Sequence, residues 1–193
     1  RQMCIRDRII GNTREETLGF MGDDPRNQGL TWDTLAGRLT PGVMRIDITP
    51  EAVIAGYRAM HPDWSPDRVL IAATTAGRSW RGAVIEAEER ARARAPAWVY
   101  QLDFPGELTS GRMGAFHTAD IPLVFDNVQA TGSHTRGPGA QSLSDRMSDA
   151  FIALARDGDP NHAGLPRWDR YELPRRQTML MDVQPRMADD PRG

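Results

Sequence analysis

The chain is 193 residues long with 39% apolar and 26% charged side chains, the composition of a soluble globular protein with one sizeable core. Its formal net charge of −2 gives no reason to expect nucleic acid or an anionic membrane as partner, and no apolar run reaches the roughly 20 residues that span a bilayer. All 24 basic residues are arginine, and the single cysteine, Cys4, excludes an internal disulfide and favours a reducing, cytoplasmic setting.

Residues 1–8, RQMCIRDR, read as a non-native tail without an initiator methionine or a signal-peptide pattern. The polar ending ADDPRG carries no terminating element, so residues 9–193 are expected to be one portion of a longer domain. Ile9-Ile10 ends a short apolar run that breaks at Gly11-Asn12, a strand followed by a loop. GNTREETLGFMGDDPRNQG continues as loop. A helix is expected from Thr31 to Leu39, stopping near Pro41-Gly42, and a second from Thr49-Pro50-Glu51 through Met60.

Ser65-Pro66-Asp67 repeats that opening signal. A long helical pattern follows to about Ala93, with Trp80, Val84, Ala87 and Ala91 on one stripe and Gly77 and Gly82 as weak points. AWVYQLDF after Pro96 is a strand, alternating Trp98, Tyr100 and Leu102 against Val99 and Gln101. Residues 132–139 are expected to form a flexible connection. Residues 140–157 form a helix with Leu143, Met147, Phe151, Leu154 and Ala155 on its apolar face, ended by Gly158-Asp159-Pro160-Asn161. TMLMDV from Thr178 is a last strand. Strands separated by helices define an α/β fold.

Two places carry acid–base potential. Glu15 and Glu16 sit in the loop directly after the first strand; adjacent glutamates are ordinarily solvated charges. His117 lies in GAFHTADIPLVFDN, a small-residue loop ahead of the apolar run 121–125. A loop histidine beside a buried element can be both held and reachable, as a general base must be. A serine hydrolase needs an acid to orient its histidine, and in α/β-hydrolases the chain order is serine, acid, histidine. Glu16 and His117 obey the second half of that order.

Three ordered segments then make the comparison specific. The chain resembles the C-terminal part of a type-B carboxylesterase, the family of para-nitrobenzyl esterases and cholinesterases. IIGNTREET is similar to the family's strand followed by G-T-N-R-D-E-G, which implies Glu16 as triad acid and places Glu15 at the preceding aspartate. GAFHTADIPLVFDN is similar to G-A-x-H-x-x-E-L-P-x-V-F-G-N, which implies His117 as triad histidine, with conservative changes at Asp120 and Ile121. GDPNHAGLPRW and Tyr171 resemble the family's C-terminal G-D-P-N…P-x-W-P-x-Y segment. Thr17 stands where the family has glycine, a change expected to alter the loop if that position needs φ > 0. Asp169 stands where proline is common and is expected to be harmless.

The resemblance implies an α/β-hydrolase fold, here part of a mostly parallel sheet flanked by helices. It implies a serine esterase working through an acyl-enzyme on a small-molecule ester, with loops between Gly19 and Trp64 shaping the pocket. The family's G-x-S-x-G elbow and Gly-rich oxyanion loop do not occur in the chain, so nucleophile and oxyanion hole are expected in an upstream part and the chain alone is expected to be inactive. GRSWRG is not an elbow: its second glycine is one residue late and it sits in a helical pattern, so Ser79 is expected to face a helix neighbour or solvent. His61, His134 and His162 lack ligand partners at metal spacing, and neither a metal nor a cofactor is implied. Trp64, Trp80, Trp98 and Trp168 are expected in core or lid packing, with one of them open to line an acyl or alcohol pocket. The competing reading is a non-catalytic, hydrolase-like binding or adhesion protein.

Overall fold

The computed structural model describes residues 7–192; Cys4 and most of the expected tail lie outside the described residues. The first element is strand β1 (Arg8–Thr13), which runs on through Gly11-Asn12 where the sequence pointed to a break. Gly11 is opposite Tyr100 in the ladder, and a Cβ on it would lie 2.0 Å from Tyr100 Cζ. Glycine is a packing requirement there, not a loop signal.

A helical excursion follows: α1 (Leu18–Met21), α2 (Trp32–Arg38), α3 (Pro41–Met44), α4 (Pro50–Met60) and α5 (Pro66–Thr75). Thr31, Thr40, Thr49 and Ser65 cap the last four, each hydroxyl accepting a backbone N–H of the first turn, with proline at the start of α3, α4 and α5. The expected starts at Thr31, Thr49 and Ser65 are borne out. α2 ends at Arg38, just before Pro41-Gly42 as expected, and Thr40-Pro41, the same hydroxyl–proline signal, then opens the unanticipated α3. Leu35, Leu39, Met44, Val69 and Leu70 form this excursion's own apolar centre.

The long helical pattern exists as α5, a π-helical turn over Ala76–Trp80, and α6 (Arg81–Arg92). Gly77 and Gly82, both expected to weaken it, differ in kind. A Cβ on Gly77 would lie 2.2 Å from the Met44 carbonyl oxygen, whereas Gly82 faces open space. Gly77→Ala is therefore expected to cost about 1–3 kcal/mol of stability. Gly82→Ala is expected to add about 0.5–1 kcal/mol. Urea midpoints moving in opposite directions check the pair.

Strand β2 (Ala97–Leu102) is buried along its whole length. Its alternation is between two covered faces rather than core and water. Trp98, Tyr100 and Leu102 join the large core, while Ala97 and Val99 meet Ile10 and α6, with Ala87 fully buried and Trp80 and Ala91 against it. A short ribbon of β3 (Gly106–Glu107) and β4 (Met113–Gly114) leads to helix α7 (Ile121–Val124) and then α8 (Ala140–Asp157). The buried line of α8 is Ala140, Leu143, Met147, Ala150 and Ala153; Ala155, expected on the apolar face, is exposed. Residues 132–139, expected as a flexible connection, are anchored at two points: Thr135 is buried and donates to the Ala119 carbonyl at 2.7 Å, and the His134 carbonyl accepts from Glu107 N–H at 2.7 Å.

Gly158 ends α8 in the left-handed region, φ 74°. In the turn beyond, the Asn161 side chain accepts from Trp168 N–H at 2.7 Å and donates to its carbonyl at 3.0 Å. That holds the buried Trp168 ring edge-on to Tyr100, its indole N–H donating to the Val99 carbonyl. Asp169 pairs with Arg167 at the surface. Strands β5 (Gln177–Met181) and β6 (Arg186–Asp189) complete a four-stranded sheet of order β1-β2-β5-β6. β1, β2 and β5 are parallel and β6 antiparallel. With α6 on one face and α7 and α8 on the other, this is the expected α/β layering.

Candidate active site

β1 and β2 are adjacent parallel strands, so the segments leaving their carboxyl ends emerge side by side. Glu16 comes from the turn after β1 and His117 from the loop that follows the β3–β4 ribbon. Two contacts tie these segments: Glu15 N–H donates to the Ala115 carbonyl at 2.8 Å, and Ala115 N–H donates to the Glu15 carboxylate at 3.0 Å. Gly114 fits because a side chain there would run into Leu18 and the Glu15 carboxylate. Beneath the loop, Tyr100 donates its hydroxyl to Asp120 at 2.6 Å. Burial, then the Asp120 charge, hold the Tyr100 hydroxyl well above its ordinary pKa, so it stays a donor.

The two residues singled out from the sequence meet. His117 Nδ1 lies 2.7 Å from Glu16 Oε2. Glu16 is 8% exposed, and its second oxygen accepts from Thr13 N–H at 2.7 Å and from Asn12 Nδ2 at 3.4 Å. A buried carboxylate with an N–H donor and a histidine is satisfied as an anion. With Nδ1–H donating to Glu16, the outer nitrogen Nε2 is the acceptor; the His117 side chain is 54% exposed, with the Phe20 ring 5.3 Å from its own. Thr118, at φ 71°, holds a conformation unusual for a β-branched residue just beyond the histidine. The pairing can position an imidazole, fix its tautomer and stabilise its protonated form.

Thr17 does not disturb the loop. Its φ is −86°, so glycine's freedom is not needed. Its hydroxyl lies 2.7 Å from that of Thr74 and 3.1 Å from that of Thr75, all three buried, and Thr17 N–H donates to Thr75 Oγ1 at 3.2 Å. Thr74 in turn donates to the Leu70 carbonyl at 2.7 Å. Thr17→Val should leave buried hydroxyls underbonded, costing about 1–3 kcal/mol in a urea titration.

Sequence reasoning missed Asn12 and Ser79. Asn12 Nδ2 donates to Ser79 Oγ at 2.6 Å as well as toward Glu16, so the half-buried Ser79 hydroxyl meets Asn12 on β1 rather than a helix neighbour. The π turn that carries Ser79 is the only signal, and it is invisible in composition. The remaining histidines have local partners: His134 with the Glu107 carbonyl, His162 with the Arg146 carbonyl and Gly164 N–H, His61 stacked on Trp64 at 3.8 Å. Trp98 and Trp168 are core, while Trp64 and Trp80 border a cavity. No group of three potential metal ligands occurs among the described residues, nor a helix long and apolar enough to cross a membrane.

Parallel strands with helices on both faces, and an acid and a histidine on neighbouring carboxyl-end loops, define an α/β-hydrolase. The Geobacillus stearothermophilus carboxylesterase Est55 superposes with a TM-score of 0.81 at 25% identity, over 96% of this chain and 38% of that one. A para-nitrobenzyl esterase shares the fold with a TM-score of 0.67. The profile of the carboxylesterase family matches residues 67–192, and the chain belongs to that family. Among its relatives, secreted lipase 5 of Gibberella zeae is 35% identical over 102 residues, half of this chain and 18% of the lipase. Phenmedipham hydrolase of Pseudarthrobacter oxydans is 25% identical over 84% of this chain and 33% of that enzyme. The chain thus spans a third or less of the length of these two relatives.

Proposed function

We propose that the protein containing this chain is a serine-dependent carboxylic ester hydrolase, to which the chain contributes the triad acid, Glu16, and the general base, His117. The observation that carries the reading is the 2.7 Å contact between Glu16 and His117 Nδ1, with the opposite edge of the imidazole open. A serine outside these 193 residues attacks the ester carbonyl, and His117 Nε2 takes its proton. The same proton passes to the departing alcohol oxygen as the tetrahedral intermediate collapses to an acyl-enzyme. Water then attacks the acyl carbonyl, giving His117 a proton that returns to the serine as the carboxylic acid leaves. Glu16 keeps its charge throughout and balances the imidazolium. Phe20 provides apolar surface beside the base. Family membership and the intact acid–histidine pair favour this over a non-catalytic binding protein.

Labelling the whole protein with a fluorophosphonate, followed by peptide mapping, tests the reading. The label is expected on a serine outside this chain, with His117→Ala preventing its attachment. Label on Ser79, or no label in a protein that folds, would overturn it. Ser79→Ala is expected to change kcat by less than about tenfold with KM unchanged, since Asn12 keeps its bond to Glu16. A loss comparable to that of His117→Ala would make Ser79 a participant in the chemistry.

A further inference from the structure

At the carboxyl ends of β1 and β2, beside the acid turn, lies a cavity of about 520 Å³. Its walls are Tyr57, Trp64, Ile71 and Trp80 on the helical side, with Arg14, Arg68 and Arg192 projecting at its margin. Two of these arginines lack an ion-pair partner among the described residues. Arg68 stacks on Trp64 at 4.1 Å and Arg192 on Trp80 at 4.6 Å, and among the described residues neither forms an ion pair. Among the described residues, the hydrogen bonds of Arg192 go to neutral acceptors: the Gln101 side chain and the carbonyls of Thr13 and Arg14. Its Nη1 has no hydrogen-bond partner among the described residues. Burial pulls its pKa down to about 10, outweighing the opposing pull of the Asp103 and Glu16 charges. The single acid on the wall, Glu15, is held by Ala115 N–H and stands 3.8 Å from Arg14.

Stacking occupies one face of each guanidinium; it leaves the N–H edge of Arg68 free and, on Arg192, Nη1, donors that a carboxylate can accept from. A largely apolar cavity with spare guanidinium donors at its margin fits a ligand having both an apolar body and a negative end. We infer that this cavity binds an organic anion with an aromatic body, an aryl carboxylate, whose charge is met by Arg68 and Arg192 and whose ring lies against Tyr57, Ile71 and Trp80. The inference uses none of the ester chemistry.

Isothermal titration of the whole protein with 2-naphthoate, and with neutral 2-naphthamide of the same shape, tests it. Naphthoate is expected to saturate one site, with the amide weaker by at least about tenfold, the scale of a lost charge-assisted pair. Arg68→Gln and Arg192→Gln should each weaken naphthoate by about tenfold and leave the amide unchanged. Arg68 is exposed and makes no side-chain hydrogen bond among the described residues, so its variant tests the site even if Arg192→Gln unfolds. Equal binding of acid and amide, no saturation by naphthoate, or naphthoate affinity unmoved by Arg68→Gln would each overturn the inference. No ester is present, so these outcomes leave the hydrolase reading untouched, and loss of hydrolysis leaves this one untouched.

Discussion

His117→Ala in the whole protein is expected to lower kcat by about 10⁴–10⁶-fold, and Glu16→Gln by about 10⁴-fold, with KM changed little in either case. The asymmetry follows from geometry. His117 alone has its outer nitrogen open to a reacting group, whereas Glu16 is buried and acts only through Nδ1. The double variant should therefore be hardly worse than His117→Ala. Glu15→Gln separates position from chemistry: its carboxylate holds Ala115 N–H and makes no contact with the imidazole, so a modest fall in kcat is expected. Steady-state kinetics on the four proteins decide. If Glu15→Gln were the damaging change and Glu16→Gln silent, the acid would be Glu15.

The largest stability effect is expected at Gly11. Its missing side chain leaves room for a Tyr100 ring that cannot retreat, being hydrogen-bonded to Asp120 and packed edge-on against Phe151 and Trp168. Gly11→Ala is expected to cost about 3 kcal/mol or more, at the upper end of overpacking penalties. The signature is strong non-additivity. Tyr100→Leu is destabilising by itself, yet Gly11→Ala placed on that background should cost much less than alone. Denaturation midpoints of the four combinations measure the coupling; additive losses would mean that the ring is not what excludes the methyl group.

Much of this architecture is legible in the residues because its determinants are local. A hydroxyl residue before proline satisfies an orphan N–H and presets the first turn, so the starts at Thr49 and Ser65 can be read without knowing what the helices touch. Thr40-Pro41 obeys the same local rule and opens α3, a start that is overlooked when the proline is read only as the end of α2. Buried strands such as β2 and β5 announce themselves as short apolar runs. Polar β6 does not, since its strand character comes from its partner.

The site divides in the same way. Glu16 and His117 are found through motifs that surround them. Asn12 and Ser79 are 67 positions apart, and nothing in either neighbourhood signals that a π turn will bring the serine hydroxyl to the amide. Gly11 shows the opposite failure. A glycine demanded by a ring on the next strand carries the same letter as one demanded by a loop.

The threonine contacts at residue 17 mark off which part of the chain can vary by itself. Thr17 and the Thr74–Thr75 pair stand at the two ends of the helical excursion, and their hydroxyls and the Thr17 N–H close it like the neck of a bag. Everything hung from that neck has its own apolar centre. Segments within it can be lengthened, shortened or exchanged while the neck keeps Glu16 in register with β1. The excursion and Glu16 are then free to change separately, and a chimera that swaps the excursion at these threonines is expected to keep Glu16 paired with His117.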